Sequence, residues 1–161
     1  MDKTTKLPIF GVGPIYVITC LLLTIFGLRL DYFGFLDFAK LPKARAFMSI
    51  LGSIFIVGGV ILWVKSVIFS KISEKIKSGL LVTDGVYSIV RNPIYSAFLF
   101  IFTGALLFTY NFCLLVLPFI FWAFLTILMK NTEEKWLQEK FGDSYTQYCK
   151  KVNRIIPWFK R

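Results

Sequence analysis

Residues 92–129 read NPIYSAFLFIFTGALLFTYNFCLLVLPFIFWAFLTILM, 38 positions without one charge. As a single α-helix this run would extend about 57 Å at about 1.5 Å per residue, nearly twice the hydrocarbon thickness of a bilayer. It therefore has to fold back on itself. The break falls at Tyr110-Asn111, near the middle, and predicts a tight hairpin of two helices, over 94–110 and 112–129. Its two feet, Arg91 to Tyr95 and Lys130 to Glu134, then lie on the same side of the membrane. Residues distant in sequence become neighbours there.

The rest of the chain agrees with a membrane setting. At 161 residues, 57% hydrophobic and with a mean hydropathy of +0.69, it is too apolar for a soluble domain. Two further uncharged segments, 9–28 and 47–64, are long enough to span. The reading is all-α: a polytopic integral membrane protein with four transmembrane helices and a C-terminal amphipathic segment, folded as a single domain over 1–161. The opening residues Met1 to Leu7 are too polar to begin a cleaved signal, so the first span is expected to be retained.

Within the first span, Pro14 is a candidate kink. The Gly11-Val12-Gly13 fragment has no strand before it and no third glycine after it, which argues against a nucleotide loop. Ser49, Gly52, Ile56, Gly59 and Trp63 share one face of the second span, and its small residues suit close helix packing. Residues 29–45 mix charges with Tyr32, Phe33, Phe35 and Phe38, as interfacial segments do. Residues 65–79 are basic and amphipathic and are expected to run along the headgroups as a helix stopped by Gly79. A second amphipathic helix follows Met129, with Gly142 as its expected cap.

The formal charge of +10 lies between and after the apolar runs, where it sets topology and meets anionic lipid; nucleic acid is not implied. With four spans, one side holds 15 Lys and Arg and the other only Arg29, Lys40, Lys43 and Arg45. The positive-inside rule then puts both termini and the hairpin feet in the cytoplasm. The chain has no His, and Cys20, Cys113 and Cys149 are far apart, so no metal site and no His base are expected.

The feet carry the chemistry. Tyr87, Arg91, Asn92 and Tyr95 come from one, Lys130, Glu133 and Glu134 from the other. Singly, each is an interfacial aromatic, a topogenic charge or a solvated helix face. Together they suit a ligand that is both cationic and hydroxylated. Tyrosine faces attract a sulfonium or ammonium, a carboxylate accepts from ribose hydroxyls, Asn92 can pair with an adenine edge, and Leu80 to Val82 can line its rings. A transporter would place an ionisable residue inside a span, and none of the four has one. A purely structural subunit stays open as the non-enzymatic alternative.

Leu81-Val82-Thr83-Asp84-Gly85-Val86-Tyr87-Ser88, then Arg91-Asn92-Pro93-Ile94-Tyr95, then Glu133-Glu134 and the stretch from Phe141-Gly142 to Tyr148 closing at Pro157 resemble the isoprenylcysteine carboxyl methyltransferases and their relatives among phospholipid methyltransferases. The resemblance covers the second half of the chain in the family's order. It implies a membrane-embedded methyltransferase of bacterial or archaeal type that uses S-adenosylmethionine, releases S-adenosylhomocysteine and lies outside the Rossmann class. By this resemblance 79–161 is the cofactor-binding and catalytic half and 1–78 supplies the first two spans. Gly79, Leu80, Leu81, Val82, Tyr87, Asn92, Pro93, Ile94, Tyr95 and Glu133 would enclose the cofactor, entering from the cytosol, while a lipophilic or lipidated acceptor arrives from the bilayer. Arg91 is expected to orient an anionic group and Glu134 to act as base towards a hydroxyl acceptor. Three positions depart from the family pattern: Asn92, where most members have His; Ala97, where Gly is usual; and Met129 with Lys130 beside it, where the eukaryotic isoprenylcysteine enzymes have Arg. Methyl transfer to oxygen is the first reading and phospholipid-type N-methylation the alternative.

Overall fold

The computed structural model of the chain describes residues 11–69 and 80–157. Five α-helices follow one another among them: α1 (Gly13–Tyr32), α2 (Arg45–Val64), α3 (Pro93–Leu107), α4 (Leu117–Asn131) and α5 (Glu133–Lys151). Short 3-10 turns link them, and a π-helical turn over Lys65–Phe69 continues α2. Three stretches, Gly13–Tyr32, Pro42–Ile68 and Leu114–Asn131, are long and apolar enough to cross a membrane, while α3 is apolar but shorter. Gly79, and most of the basic helix expected before it, lie outside the described residues.

The exposure pattern is inverted relative to a soluble protein. α1 buries Gly13, Tyr16, Cys20, Thr24 and Gly27 and turns Ile15, Ile18, Leu22 and Phe26 outward, so that Phe26 is 60% exposed and Thr24 3%. In water the outward face would be a large apolar patch; against lipid tails it is solvated, and the small inner residues let helices come close. The chain is an integral membrane protein.

Helix α3 is the centre of the bundle. It buries Ser96, Ala97, Leu99, Phe102, Gly104, Leu106 and Leu107, and its Leu99, Phe102 and Leu106 join Tyr16 and Cys20 of α1 and Phe121, Leu125 and Met129 of α4 in one core. The α2 face with Gly52 and Gly59 meets α3 backbone to backbone. A Cβ on Gly52 would stand 2.8 Å from the Gly104 carbonyl, one on Gly104 2.6 Å from the Gly52 carbonyl, and one on Gly59 2.8 Å from the Ala97 carbonyl. The face expected to pack does so within the chain.

Helix boundaries move where backbone chemistry outweighs hydropathy. α1 starts at Gly13 rather than at residue 9: Gly11 turns the chain with φ +50, and Pro14 sits in the first turn, where its missing N–H costs nothing. Pro14 thus begins the helix instead of kinking it. α3 stops at Leu107, three residues short of the expected 110, and α4 proper begins at Leu117. Between them Tyr110 adopts φ +43 and Asn111 is fully buried. Asn111 Nδ2 donates to Asp31 Oδ1 (2.8 Å) and to the Leu36 carbonyl (2.9 Å), while its Oδ1 accepts from the Cys113 amide (3.0 Å). Two backbone bonds, Leu41 N–H to the Tyr110 carbonyl (2.8 Å) and Phe112 N–H to the Ala39 carbonyl (2.9 Å), complete the clasp.

In α5 Gly142 has φ 51 and ψ −125, a positive-φ conformation that favours glycine but differs from the αL geometry of a helix cap, and the helix resumes beyond it and runs to Lys151. Gly142 is a kink between two helical segments. After α5 the chain returns to the foot of α3: Val90 bridges to Asn153, the Arg91 amide donates to the Asn153 carbonyl (2.8 Å), and Ser96 Oγ donates to the Ile155 carbonyl.

Gly104→Ala should force α2 and α3 apart and lower the melting temperature in detergent by several degrees, overpacking of this kind costing about 1–3 kcal/mol. Gly58→Ala, whose added Cβ meets nothing within 4 Å, should leave the melt unchanged or raise it slightly, by helix propensity.

Candidate active site

Glu133 is the first residue of α5, directly after Thr132 ends α4, and Tyr95 lies in the first turn of α3. Tyr95 donates its hydroxyl to Glu133 Oε1 at 2.6 Å, a short charge-assisted bond between residues 38 apart. The same oxygen accepts the Val12 amide at 2.8 Å. Tyr16 packs edge-on against the Tyr95 ring, with centroids 6.1 Å apart. Burial pushes the Glu133 carboxyl above the usual carboxylate range, with the bonds from Tyr95 and Val12 pulling the other way. Burial is also the main cause that raises the Tyr87 hydroxyl well above that of a free tyrosine, with Tyr148 and Glu133 nearby adding to it.

Glu134, one position on, is engaged differently. Arg154 grips it as a fork, Nε to Oε1 at 2.6 Å and an Nη to Oε2 at 2.9 Å, and Arg91 stands 3.3 Å from Oε1. Both oxygens are therefore held by guanidinium groups, which occupy the acceptor positions that a base would turn to a ligand. Arg91 also donates to the Cys149 thiol, and its Nε is buried with no hydrogen-bond partner among the described residues.

The other expected residues divide. Asn92 spends its side-chain amide on the Arg154 carbonyl (3.0 Å), tying the α3 foot to the C-terminal segment. Pro93 is buried as the first residue of α3, and Ile94 is half-buried beside it. Val82 is buried, Leu81 packs on the Tyr145, Tyr148 and Val152 cluster, and Leu80 is exposed. Tyr87 is buried in a 3-10 turn, and its carbonyl accepts the Tyr148 hydroxyl at 2.6 Å. Tyr87, Arg91, Tyr95, Glu133 and Glu134 thus come together, while Asn92 is turned to a structural contact. An open cleft of about 430 Å³ adjoins Glu134, lined also by Lys130, Lys135, Gln138, Glu139, Tyr145 and Cys149.

Four contributors escape the sequence: Arg154, Asn153, Ile155 and Val12. Arg154 is one basic residue in a basic tail, with nothing local to single it out. Asn153 and Ile155 act through their backbones, which leave no trace in side-chain chemistry. Val12 did carry a signal: it is flanked by two glycines just ahead of a helix-starting proline.

These features define an α-helical membrane protein with a carboxylate, tyrosine and arginine site where its helices α3, α4 and α5 meet. The family described as phospholipid methyltransferase matches residues 47–144, and the chain belongs to it. Among curated proteins the chain is similar to the protein-S-isoprenylcysteine O-methyltransferase of Schizosaccharomyces pombe, 42% identical over 86 residues, which are 53% of this chain and 36% of that protein. It is similar to the Xenopus laevis protein of the same name, 31% identical over 126 residues, covering 73% and 43% of the two chains. It is also similar to methanethiol S-methyltransferase 1 of Bradyrhizobium diazoefficiens, 36% identical over 76 residues, or 47% and 26%. The resemblance to the isoprenylcysteine methyltransferases read from the sequence is borne out. The chain spans less than half the length of each of these relatives. No solved structure matches it significantly.

Glu133 supplies a pH test. Because folding raises its pKa, its contribution to stability is full below the unfolded carboxyl value of about 4.3 and is lost as pH rises through the folded value. Glu133→Gln keeps an acceptor for Tyr95 and Val12 and discards the charge. Melts of the ligand-free protein in detergent should show the Gln variant gaining on the wild type as pH rises from about 4.5 to 8; a gap that stays constant or reverses would refute the burial argument.

Proposed function

We propose that the chain is a membrane-embedded methyltransferase that moves the methyl group of S-adenosylmethionine to an oxygen, carboxylate or hydroxyl, of a lipophilic acceptor at the membrane–cytosol interface. The observation that carries this reading is the 2.6 Å bond between Tyr95 and Glu133, which puts the two halves of the family pattern into one site. In this reading α3 is a fourth crossing, α3 and α4 form a hairpin, and the excess of Lys and Arg puts both termini and the site on the cytoplasmic side, in a prokaryotic cytoplasmic membrane.

The residues present fit such a cofactor. A buried carboxylate between two tyrosines suits a group that carries hydroxyls and a cation, and the Arg91 Nε, unpartnered among the described residues, is a buried donor for a carboxylate or other anionic group. S-adenosylmethionine would supply an electrophilic methyl on a sulfonium. Glu133 anchors by accepting hydrogen bonds, Tyr87 and Tyr95 flank, and Leu81, Val82, Pro93 and Ile94 provide apolar walls. Arg91 orients an anionic group, and Glu134, held by Arg154, holds Arg91 in turn.

Displacement at a sulfonium by an anionic oxygen annihilates charge, so the protein contributes alignment and exclusion of water more than proton transfer. A carboxylate acceptor needs no base, which agrees with an engaged Glu134 and with a chain that has no His. The similarity to a methanethiol S-methyltransferase favours one second reading, transfer to a thiolate sulfur, which places the same demands on the site.

In detergent, the wild type should bind S-adenosylhomocysteine in a calorimeter and Glu133→Ala should bind it at least tenfold more weakly, the loss of a charge-assisted bond being worth about 1.5–3 kcal/mol. Unchanged affinity would remove the role given to Glu133. Incubation with methyl-labelled cofactor and a total lipid extract, followed by identification of the labelled product, separates O-methyl from S-methyl and N-methyl transfer; no labelled product from lipid or thiol would count against the activity.

A further inference from the structure

The site has a wall that the family pattern does not contain. The matched region begins at residue 47, yet the Glu133 carboxylate is held by the turn that opens α1. Gly11 takes φ +50, a conformation that L side chains rarely adopt, and a Cβ there would collide with Glu133 Oε1 and lie 3.3 Å from the Tyr95 hydroxyl. A Cβ on Gly13 would stand 3.0 Å from the Tyr95 ring. Between these glycines the Val12 amide donates to Oε1 at 2.8 Å, and one turn on Tyr16 braces the Tyr95 ring. Two glycines therefore clear the space and one amide fills it. Both donors, Val12 and Tyr95, converge on the same oxygen, and no described residue donates to Oε2.

We propose that the Gly11-Val12-Gly13 turn is a positioning element of the nucleoside site: with Tyr95 it fixes Oε1 of Glu133 and so presents Oε2 to the vicinal hydroxyls of the bound nucleoside. The inference rests on the reading of Glu133 as a cofactor anchor. It gives the first helix a part in binding that its composition alone does not reveal. The amide also helps keep the buried carboxylate ionised, the form that accepts from hydroxyls. The described titratable groups that face Glu133 are the phenols of Tyr87 and Tyr95.

The test uses the full chain in detergent, with S-adenosylhomocysteine as probe and affinity followed from pH 5.5 to 9. Gly11→Ala should weaken binding at least tenfold at pH 7 and move the pH at which binding sets in upwards, because a carboxyl without the Val12 amide ionises later. Gly34→Ala serves as control, since it also places a side chain at positive φ (+81) but lies beyond the other end of α1; it should change neither quantity. Should Gly11→Ala not fold, Gly13→Ala, which has no φ strain and presses on Tyr95, should shift both in the same direction. Wild-type affinity and pH profile in the folded glycine variant, or an equal loss in Gly34→Ala, would overturn the inference while leaving the proposed function intact. A wild type that binds no probe would instead remove the proposed function, and this inference with it.

Discussion

Three separated parts of the polypeptide meet at one oxygen atom. Glu133 Oε1 takes one hydrogen bond from Val12 at the start of α1 and another from Tyr95 at the start of α3, and Glu133 itself begins α5. A carboxylate taken out of water is costly unless it is well bonded, so the position of each helix end is conditioned by the others. One residue later Glu134 gathers Arg91 and Arg154 in the same way. Two adjacent acids on the first turn of a helix also suit its dipole, which favours negative charge at that end. The polar end of the bundle is thus a set of mutually dependent bonds arranged around two side chains.

The opposite end is fastened by a neutral group. Asn111, wholly buried, ties the turn between α3 and α4 to Asp31 and to the Leu36 carbonyl, while Lys40 pairs with Asp37 at 2.8 Å nearby. Between the two ends the helices have little but packing to hold them, since lipid removes the hydrophobic drive for helices to associate. Contact at the Gly52–Gly104 and Gly59–Ala97 crossings fills that gap through dense van der Waals packing. Polar clasps at both ends with close glycine packing between them are what a membrane interior permits.

Much of this was legible in the sequence, for identifiable reasons. The 38-residue uncharged run could not be one helix, and Tyr110-Asn111 was the good break near its middle. The Gly52/Gly59 face read as a packing face, within the chain or between subunits, and it packs on α3. What escaped was of two kinds. Helix ends shifted where a local torsion decided, as at Gly11, Tyr110 and Gly142, because hydropathy does not register φ. Site partners escaped where the group was a backbone amide or carbonyl, as at Val12, Asn153 and Ile155, or one arginine among many, as at Arg154. Asn92 shows a contact that the sequence does not announce. Its side chain has the right chemistry for a base edge, and its Nδ2 also donates to the Arg154 carbonyl.

The shortness of α3 has a consequence for depth. Its 15 residues extend about 22 Å, against about 30 Å for the 20 residues of α1 or of α2 and for the hydrocarbon slab itself. On the proposed reading of α3 as a fourth crossing, neighbours shelter it from lipid, so it need not match the slab, and the missing length would be taken up as a recess at its ends. On that reading Tyr95 and the acid it binds would lie below the level of the headgroups. A greasy molecule confined to the leaflet could present its polar tip there without being lifted into water, and a water-soluble one would have to descend to meet it.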